Sequence, residues 1–507
     1  MSLGWISWEI AALIVFAIYW LFVEILRRKG ILEKRGITAI GPILMIRTTK
    51  GLEFLEKISK PKRFWRIIAT LGIPMVFVGM AFMFFLILLM DYIMLTSPPK
   101  PSPATNPRNA LLIPGINEFI PFVWGLIGLV VTLVVHELSH AILCRVEGVR
   151  VKSLGVLLAL VPIGGFAEPD EKELTDESKL RRIQRIRIYS AGVISNFIMA
   201  AIAFSAFFYL IGFLTPHVVV VDSKTDIAKG SVILSINGVE VYSEDDVQRV
   251  LEKSGDKILV EVRNKDGSVT THELQKIAGV YISGTLEGYP AEKVGLKEGM
   301  VIVRVNDVET PTLKSFSEFM KSTKPNQTIT IYAYDGESVR KFEVTLAKAP
   351  NGEHGFIGIL LGGDYLSGMI LGYSDQILAG LKSIPSQLLN VRGWLYIISM
   401  PFVFRGFSEN ILSYFTPTDF WKDKGNLLFY LLNIFYWVGW INFYVGLFNC
   451  LPAIPLDGGR IFQESLMAVF KGERSREISI IIVRSLAIAI FMSILLSILI
   501  PNMQALK

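Results

Sequence analysis

The stretch His136-Glu137-Leu138-Ser139-His140 stands near the end of an apolar run, Phe119 to Cys144, that is long enough to cross a bilayer. On a helix, residues four apart share a face, so His136 and His140 project together with Glu137 beside them. H-E-x-x-H so placed is a zinc-site pattern in which two imidazoles hold the metal and the glutamate serves as general base. The same pattern also arises by chance in soluble helices. What gives it weight is its depth, because three ionisable side chains inside lipid are costly unless they carry a function.

The rest of the chain fits that placement. Its 507 residues are 51% apolar with positive mean hydropathy, a composition that implies several membrane spans. Apolar runs predict six transmembrane helices at about 5–26, 67–95, 117–143, 187–214, 427–450 and 478–500. The net charge is only +6, and the basic residues concentrate between Arg27 and Arg66 and between Arg145 and Arg187. Flanking apolar runs as they do, these clusters follow the positive-inside pattern, so a lipid bilayer is the expected partner and nucleic acid is not. Cys144 and Cys450 are the only cysteines, too few for a disulfide framework or a thiolate metal cluster, and both read as small buried thiols.

The first run lacks a small-residue cleavage site and is followed at once by Arg27, Arg28 and Lys29, so it reads as a retained anchor. With Arg27 to Arg66 on the cytoplasmic side, the span carrying the motif re-enters toward the cytosol, and the metal lies on the order of 10 Å below the basic boundary at Arg145. The next span then carries Pro216 to Tyr365 to the extracytoplasmic side. Abundant Lys, Arg, Glu and Ile with few cysteines is compatible with a prokaryotic plasma membrane.

That external segment contains an internal repeat. Gly230-Ser231-Val232-Ile233-Leu234-Ser235-Ile236-Asn237-Gly238-Val239-Glu240 recurs as Gly299-Met300-Val301-Ile302-Val303-Arg304-Val305-Asn306-Asp307-Val308-Glu309, and Asp266-Gly267 recurs as Asp335-Gly336. Each copy reads as strand, Asn-containing turn, strand, polar helix and two alternating strands joined at Asp-Gly. This order resembles PDZ domains. The second copy fits better, since Gly279-Val280-Tyr281-Ile282 precedes Pro290-Ala291-Glu292-Lys293-Val294-Gly295-Leu296. The resemblance implies that Gly279, Val280, Tyr281 and Ile282 hold a C-terminal peptide tail by strand addition. The first copy lacks such a glycine-bearing loop and reads as degenerate. Beyond the pair, Ser367 to Trp421 is apolar but broken by Pro385, Pro401, Arg405 and Pro417, which suits an interfacial or re-entrant segment.

Two histidines do not complete a catalytic zinc site, which takes three protein ligands. Far downstream stands Asn449-Cys450-Leu451-Pro452-Ala453-Ile454-Pro455-Leu456-Asp457-Gly458-Gly459-Arg460, where Asp457 interrupts an apolar, proline-broken stretch. Irregular backbone at membrane depth is tolerated where it is buried in protein or lines a wet cavity. Taken singly, Asp457 could be a turn aspartate, and Asn196 and Asn449 could be interhelical hydrogen-bonding residues.

H-E-x-x-H in a span followed by N-x-x-P-x-x-x-L-D-G resembles the site-2 protease family of intramembrane zinc metalloproteases. Ala191-Gly192-Val193-Ile194-Ser195-Asn196 is similar to that family's A-G-P-x-x-N segment, with Val193 in place of proline, and Pro162-Ile163-Gly164-Gly165-Phe166-Ala167 is similar to its membrane-embedded hairpin. The resemblance implies an α-helical polytopic membrane protein with inserted α+β PDZ-like domains. It implies one zinc ion per chain, ligated by His136, His140 and Asp457, with Glu137 as catalytic base. It also implies substrate contacts at Asn449, Asn196, Gly165 and Phe166. The expected reaction is hydrolysis of a peptide bond in the transmembrane segment of a single-pass protein substrate.

The domain plan that follows is 1–116 for the first two spans, 117–215 for the first half of the core, 216–278 and 279–350 for the repeats, 351–426 for a linker, and 427–507 for the second half of the core. Two other functions compete with intramembrane cleavage. One is a catalytically inactive scaffold or receptor that uses the repeats to bind peptides, which has no need of Glu137 and three ligands. The other is a membrane-anchored metalloprotease facing soluble proteins, which the lipid depth of His140 and Asp457 disfavours.

Overall fold

The computed structural model describes residues 8–49, 51–102, 105–109, 113–159, 161–350, 352–470 and 474–504. The chain divides into one compact unit of Met1–Phe207, Ile398–Gly406 and Asn433–Lys507, and a second of Phe208–Ile397 and Phe407–Leu432. Seven helices organise the membrane part: α1 (Trp8–Arg28), α2 (Lys62–Thr96), α3 (Phe122–Glu147), α4 (Arg182–Leu210), α5 (Leu427–Asn449), α6 (Asp457–Val469) and α7 (Ser475–Gln504). Among the described residues, α2, α3, α4, α5 and α7 are long and apolar enough to cross a membrane. The expected span 5–26 starts outside the described residues, and its remainder lies in the 21-residue α1. The chain is therefore a multi-pass integral membrane protein.

Small residues set how closely these helices approach. A Cβ on Gly79 of α2 would sit 2.7 Å from the Cys450 sulfur, and one on Gly128 of α3 would sit 2.9 Å from the Trp437 carbonyl of α5. In lipid, where apolar burial drives no helix association, such close van der Waals contact is a principal source of cohesion. The polar ends supply fixed geometry. The fully buried Glu147 carboxylate at the end of α3 accepts from Arg66 of α2 and from Arg187 and Gln184 of α4. Arg185 of α4 grips Glu464 of α6 through two bonds, of 2.8 and 2.9 Å. Removing one member of such a buried pair costs about 3–5 kcal/mol. Several residues of the two basic clusters thus clamp the helices together.

Beside the helices lies a four-stranded antiparallel sheet that the hydropathy pattern does not announce. Its order is β1 (Ile37–Ile40), β2 (Ile43–Thr48), β3 (Val151–Ala159) and β4 (Val161–Pro169). Residues 162–167, expected to form a hairpin, lie instead within the single edge strand β4 of a larger sheet, two strands of which come from the basic segment after α1.

In the second unit the two repeats fold alike. Asn237 and Asn306 both adopt left-handed backbone, at φ 51° and 52°. Each closes the same local clasp: its N–H and side-chain oxygen bond the backbone of Leu259 or Thr330 two strands away, at 2.7 and 2.8 Å in both copies. Asparagine tolerates that conformation better than other non-glycine residues.

The segment read as a linker proves to be part of this fold. Strand Ile359–Leu366 pairs with Ala278–Thr285 of the second repeat, and Met369–Tyr373 pairs with Val218–Ser223 of the first. Ser367 and Gly368 join the two strands, both at positive φ, as a two-residue hairpin turn requires. Alternating apolar side chains drive the arrangement, because Ile359 enters the core of the second repeat while Leu366, Met369 and Leu371 enter that of the first. The boundaries at 278 and 350 therefore each omit a strand that the repeat needs. Within the interval expected to be interfacial or re-entrant, Met369–Tyr373 is sheet, followed by helices Ser374–Gln387 and Val391–Val403.

The peptide-binding assignment also needs correction. Gly279, Val280, Tyr281 and Ile282 lie on a strand with Val301–Val305 along one side and Ile359–Leu366 along the other, which leaves no free edge for an added peptide. A Cβ on Gly279 would fall 2.2 Å from the Ile302 carbonyl oxygen, so its glycine serves close strand approach, whereas one on Gly284 would meet only the Leu360 side chain, at 3.3 Å. Gly279→Ala should destabilise the second repeat by about 1–3 kcal/mol. Hydrogen exchange at Val301–Val305 should then accelerate, with Gly284→Ala close to wild type.

Asp364, buried on the same hairpin, accepts from the Leu313 N–H at the start of helix Leu313–Lys321 and from the Tyr373 hydroxyl. Burial pushes its carboxyl up to about 6 from an ordinary 3.8. A carboxyl whose pKa is raised by folding contributes stability that is present below its unfolded value and is lost as pH rises through its folded value. Exchange protection around Leu313 should therefore weaken between about pH 4 and 6, after correction for intrinsic rates. That trend should vanish in Asp364→Asn.

Candidate metal centre

Helix α3 is stopped by Gly148, whose positive φ lets the Gly148 and Val149 N–H groups bond back to the Arg145 and Cys144 carbonyls. Its last turns carry the H-E-x-x-H residues. Helix α6 begins at Asp457, immediately after the proline-broken loop. Gly458 and Gly459 let that first turn lie against the loop backbone: a Cβ there would come 2.3 Å from the Cys450 carbonyl oxygen or 2.5 Å from the Ala453 carbonyl carbon.

These two helices bring three candidate ligands to one point. His136 Nε2 and His140 Nε2 are 3.2 Å apart, and Asp457 Oδ2 lies 3.2 and 3.1 Å from them. Ligand atoms ~2.0 Å from a tetrahedral ion stand ~3.3 Å apart, so the triangle is sized for such an ion with a fourth position left over. The side chains of His136, His140 and Asp457 retain 11, 15 and 15% exposure.

Helix α4 backs both imidazoles. His140 Nδ1 lies 2.7 Å from the Ile188 carbonyl oxygen, and His136 Nδ1 lies 3.1 Å from the Asn196 amide. Between them, Gly192 makes room: a Cβ there would sit 2.5 Å from both rings. The spacing 188, 192, 196 is one face of a helix, a periodicity from which this role could have been inferred. Asn196 is fully buried behind His136, so it meets the metal ligand and not a substrate surface.

Glu137 projects beside the triad toward β4. Its Oε2 accepts from the Ala167 N–H at 3.0 Å, and Gly165 fits so closely that a Cβ would come 3.0 Å from Glu137 Cγ. Phe166 belongs to the other face of the strand, where its ring covers Gly155, so it does not line the approach to Glu137. Asn449 bonds the Val445 carbonyl within its own helix. Unlike Asn196, it makes no bond with the three candidate ligands among the described contacts.

Residues 124–494, most of the chain and all of this cluster, match the family described as Peptidase family M50. An uncharacterized protein of Methanocaldococcus jannaschii is 30% identical over 270 residues, 52% of this chain and 69% of its own length. A membrane-bound transcription factor site-2 protease homolog of Arabidopsis thaliana is 29% identical over 147 residues, covering 26% of this chain and 28% of the relative. Protease RseP of Yersinia pestis is 28% identical over 173 residues, covering 26% and 38%. The chain spans well under two thirds of these last two. With the family match running through both halves of the metal cluster, the chain belongs to peptidase family M50, the site-2 protease family of membrane proteins.

Proposed function

We propose that this protein is an intramembrane zinc endopeptidase that hydrolyses a peptide bond within the transmembrane segment of a single-pass substrate. The observation that carries the reading is the triangle of His136 and His140, on a helix of membrane-spanning length, with Asp457 at the start of α6, and with a carboxylate and a strand edge beside it. Zinc held there would polarise the scissile carbonyl and lower the pKa of a water toward ~7. Glu137, held by the Ala167 N–H, accepts the proton from the attacking water and returns it to the leaving amine.

A substrate helix must first release its own hydrogen bonds, because they shield the scissile amide. Among the described residues strand β4 pairs on one side only, with β3, and backbone alternation turns the Gly165 N–H to the same outward edge as that of Ala167. An unwound substrate strand adds at that edge and lies alongside Glu137. In the second repeat, the unpaired edge that suits a peptide tail is Ile359–Gly363, following Gly355-Phe356-Ile357-Gly358 and flanked by helix Leu313–Lys321. The basic segments at Arg27–Arg66 and Arg145–Arg187 favour a cytoplasmic position for their end of the helices, close to the metal ligands. Segment 216–365 then lies on the extracytoplasmic side, where the repeats restrict access by substrates with bulky external domains.

Elemental analysis of detergent-purified protein should find about one zinc per chain in wild type and in Glu137→Gln, and much less in His136→Ala and Asp457→Ala. Glu137→Gln should slow cleavage of a reconstituted transmembrane substrate by at least ~10²-fold. In that variant, a photo-crosslinker placed at the scissile position should label β4 between Val161 and Ala167. Zinc-free, well-folded wild type would remove the catalytic reading, and labelling confined to other segments would remove strand addition.

A further inference from the structure

His136 and His140 present Nε2 to the same point but rest on different partners. The Ile188 carbonyl behind His140 can only accept, so it requires a proton on Nδ1 and leaves the Nε2 lone pair for a metal. The Asn196 carboxamide behind His136 has a donor end and an acceptor end, and it can serve either tautomer. With its nitrogen toward the ring, 3.1 Å from Nδ1, His136 carries its proton on Nε2, directed at Asp457 Oδ2 at 3.2 Å. Asn196 is fully buried, and in that orientation its Oδ1 has no hydrogen-bond partner among the described residues. A buried carbonyl oxygen left unpaired costs roughly 1–3 kcal/mol, so this orientation carries a penalty that bonding Oδ1 to the ring would remove.

We propose that Asn196 is the positioning residue that sets the tautomer of His136, and that its amide turns end for end when metal binds. Rotation about Cβ–Cγ brings Oδ1 to Nδ1. The ring proton then sits on Nδ1, donated to Oδ1, and the Nε2 lone pair is released toward the metal. Nothing is oxidised or transferred to solvent; one proton moves between the nitrogens of a neutral ring. Gly192, one turn earlier, leaves room for both rings to approach α4 closely enough for the amide and the Ile188 carbonyl to reach their Nδ1 atoms. An asparagine suits this position because it bonds the ring both before and after metal entry, whereas aspartate can only accept.

This inference rests on the zinc reading above, and the test separates the two. The zinc dissociation constant of the detergent-purified full chain would be measured by chelator competition for wild type, Asn196→Leu and Asn196→Asp, together with the visible spectrum of the Co2+-substituted proteins. Loss of a hydrogen-bond partner behind a metal-ligating histidine typically weakens binding by 10–100-fold. Asn196→Leu should fall in that range, with a changed Co2+ spectrum. Asn196→Asp, which keeps the acceptor, should stay within about threefold of wild type or bind tighter, as carboxylate–histidine–zinc arrangements do. Wild-type affinity and spectrum in Asn196→Leu would overturn the proposal. Should that variant fail to fold, Asn196→Asp decides alone, because a tenfold weakening there would show that the ring needs a donor. Failure of wild type itself to bind zinc would overturn the zinc reading instead.

Discussion

Everything in the membrane unit depends on holding two imidazoles and a carboxylate within hydrogen-bond distance of one another in a low-dielectric setting, although Asp457 lies 317 residues beyond His140. Mutual attraction cannot do this alone, because the helices that carry these groups gain nothing from apolar burial in lipid. The chain resolves the difficulty by making α4 the common reference. One face of α4 supports both histidines through the Ile188 carbonyl, Gly192 and Asn196. The same helix grips α6 through Arg185 and Glu464, two turns beyond Asp457. Both halves of the metal cluster are thereby referred to a single rigid element, and a shift of that element would move all three ligands.

Next to this frame the chain sets a sheet, and the chemistry explains why. A helix cannot be cut while its amides are bonded to one another, so a site meant for helices needs a place where extended backbone is stable. Strand β4 supplies one within reach of the proposed base, because glycine at 165 allows backbone to approach Glu137 with no side chain between. The outward Ala167 N–H already bonds Glu137, so the base and the strand are one mechanical assembly.

Much of this was legible in the sequence. H-E-x-x-H, the LDG turn and the apolar runs announced the membrane helices and pointed to the three side chains that the fold brings together, because each depends on local spacing or on hydropathy that lipid amplifies. The backing role of α4 was half visible in the spacing of Ile188, Gly192 and Asn196. It was misread as substrate contact because a sequence does not tell which helix stands behind an imidazole. The sheet was missed in part because β1 and β2 are short and sit in a basic segment whose charges dominate its appearance. The peptide groove was placed on Gly279–Ile282 since a glycine before an apolar strand fits a binding loop as well as it fits tight strand packing. The strands that complete the repeats lie where non-local pairing decides, and neither turn signals nor propensity reach that far.

That last arrangement bears on how the protein is made. The hairpin Ile359–Tyr373 lies after both repeats in the chain yet contributes to the core of each. The first repeat is synthesised well before the strand that closes it exists. At ordinary elongation rates of about 5–20 residues per second, its exposed edge at Val218–Ser223 waits several seconds or more for Met369–Tyr373. The two repeats thus mature together, on arrival of one shared strand pair, and a nascent chain stalled between them presents an unpaired apolar edge that quality-control factors can recognise.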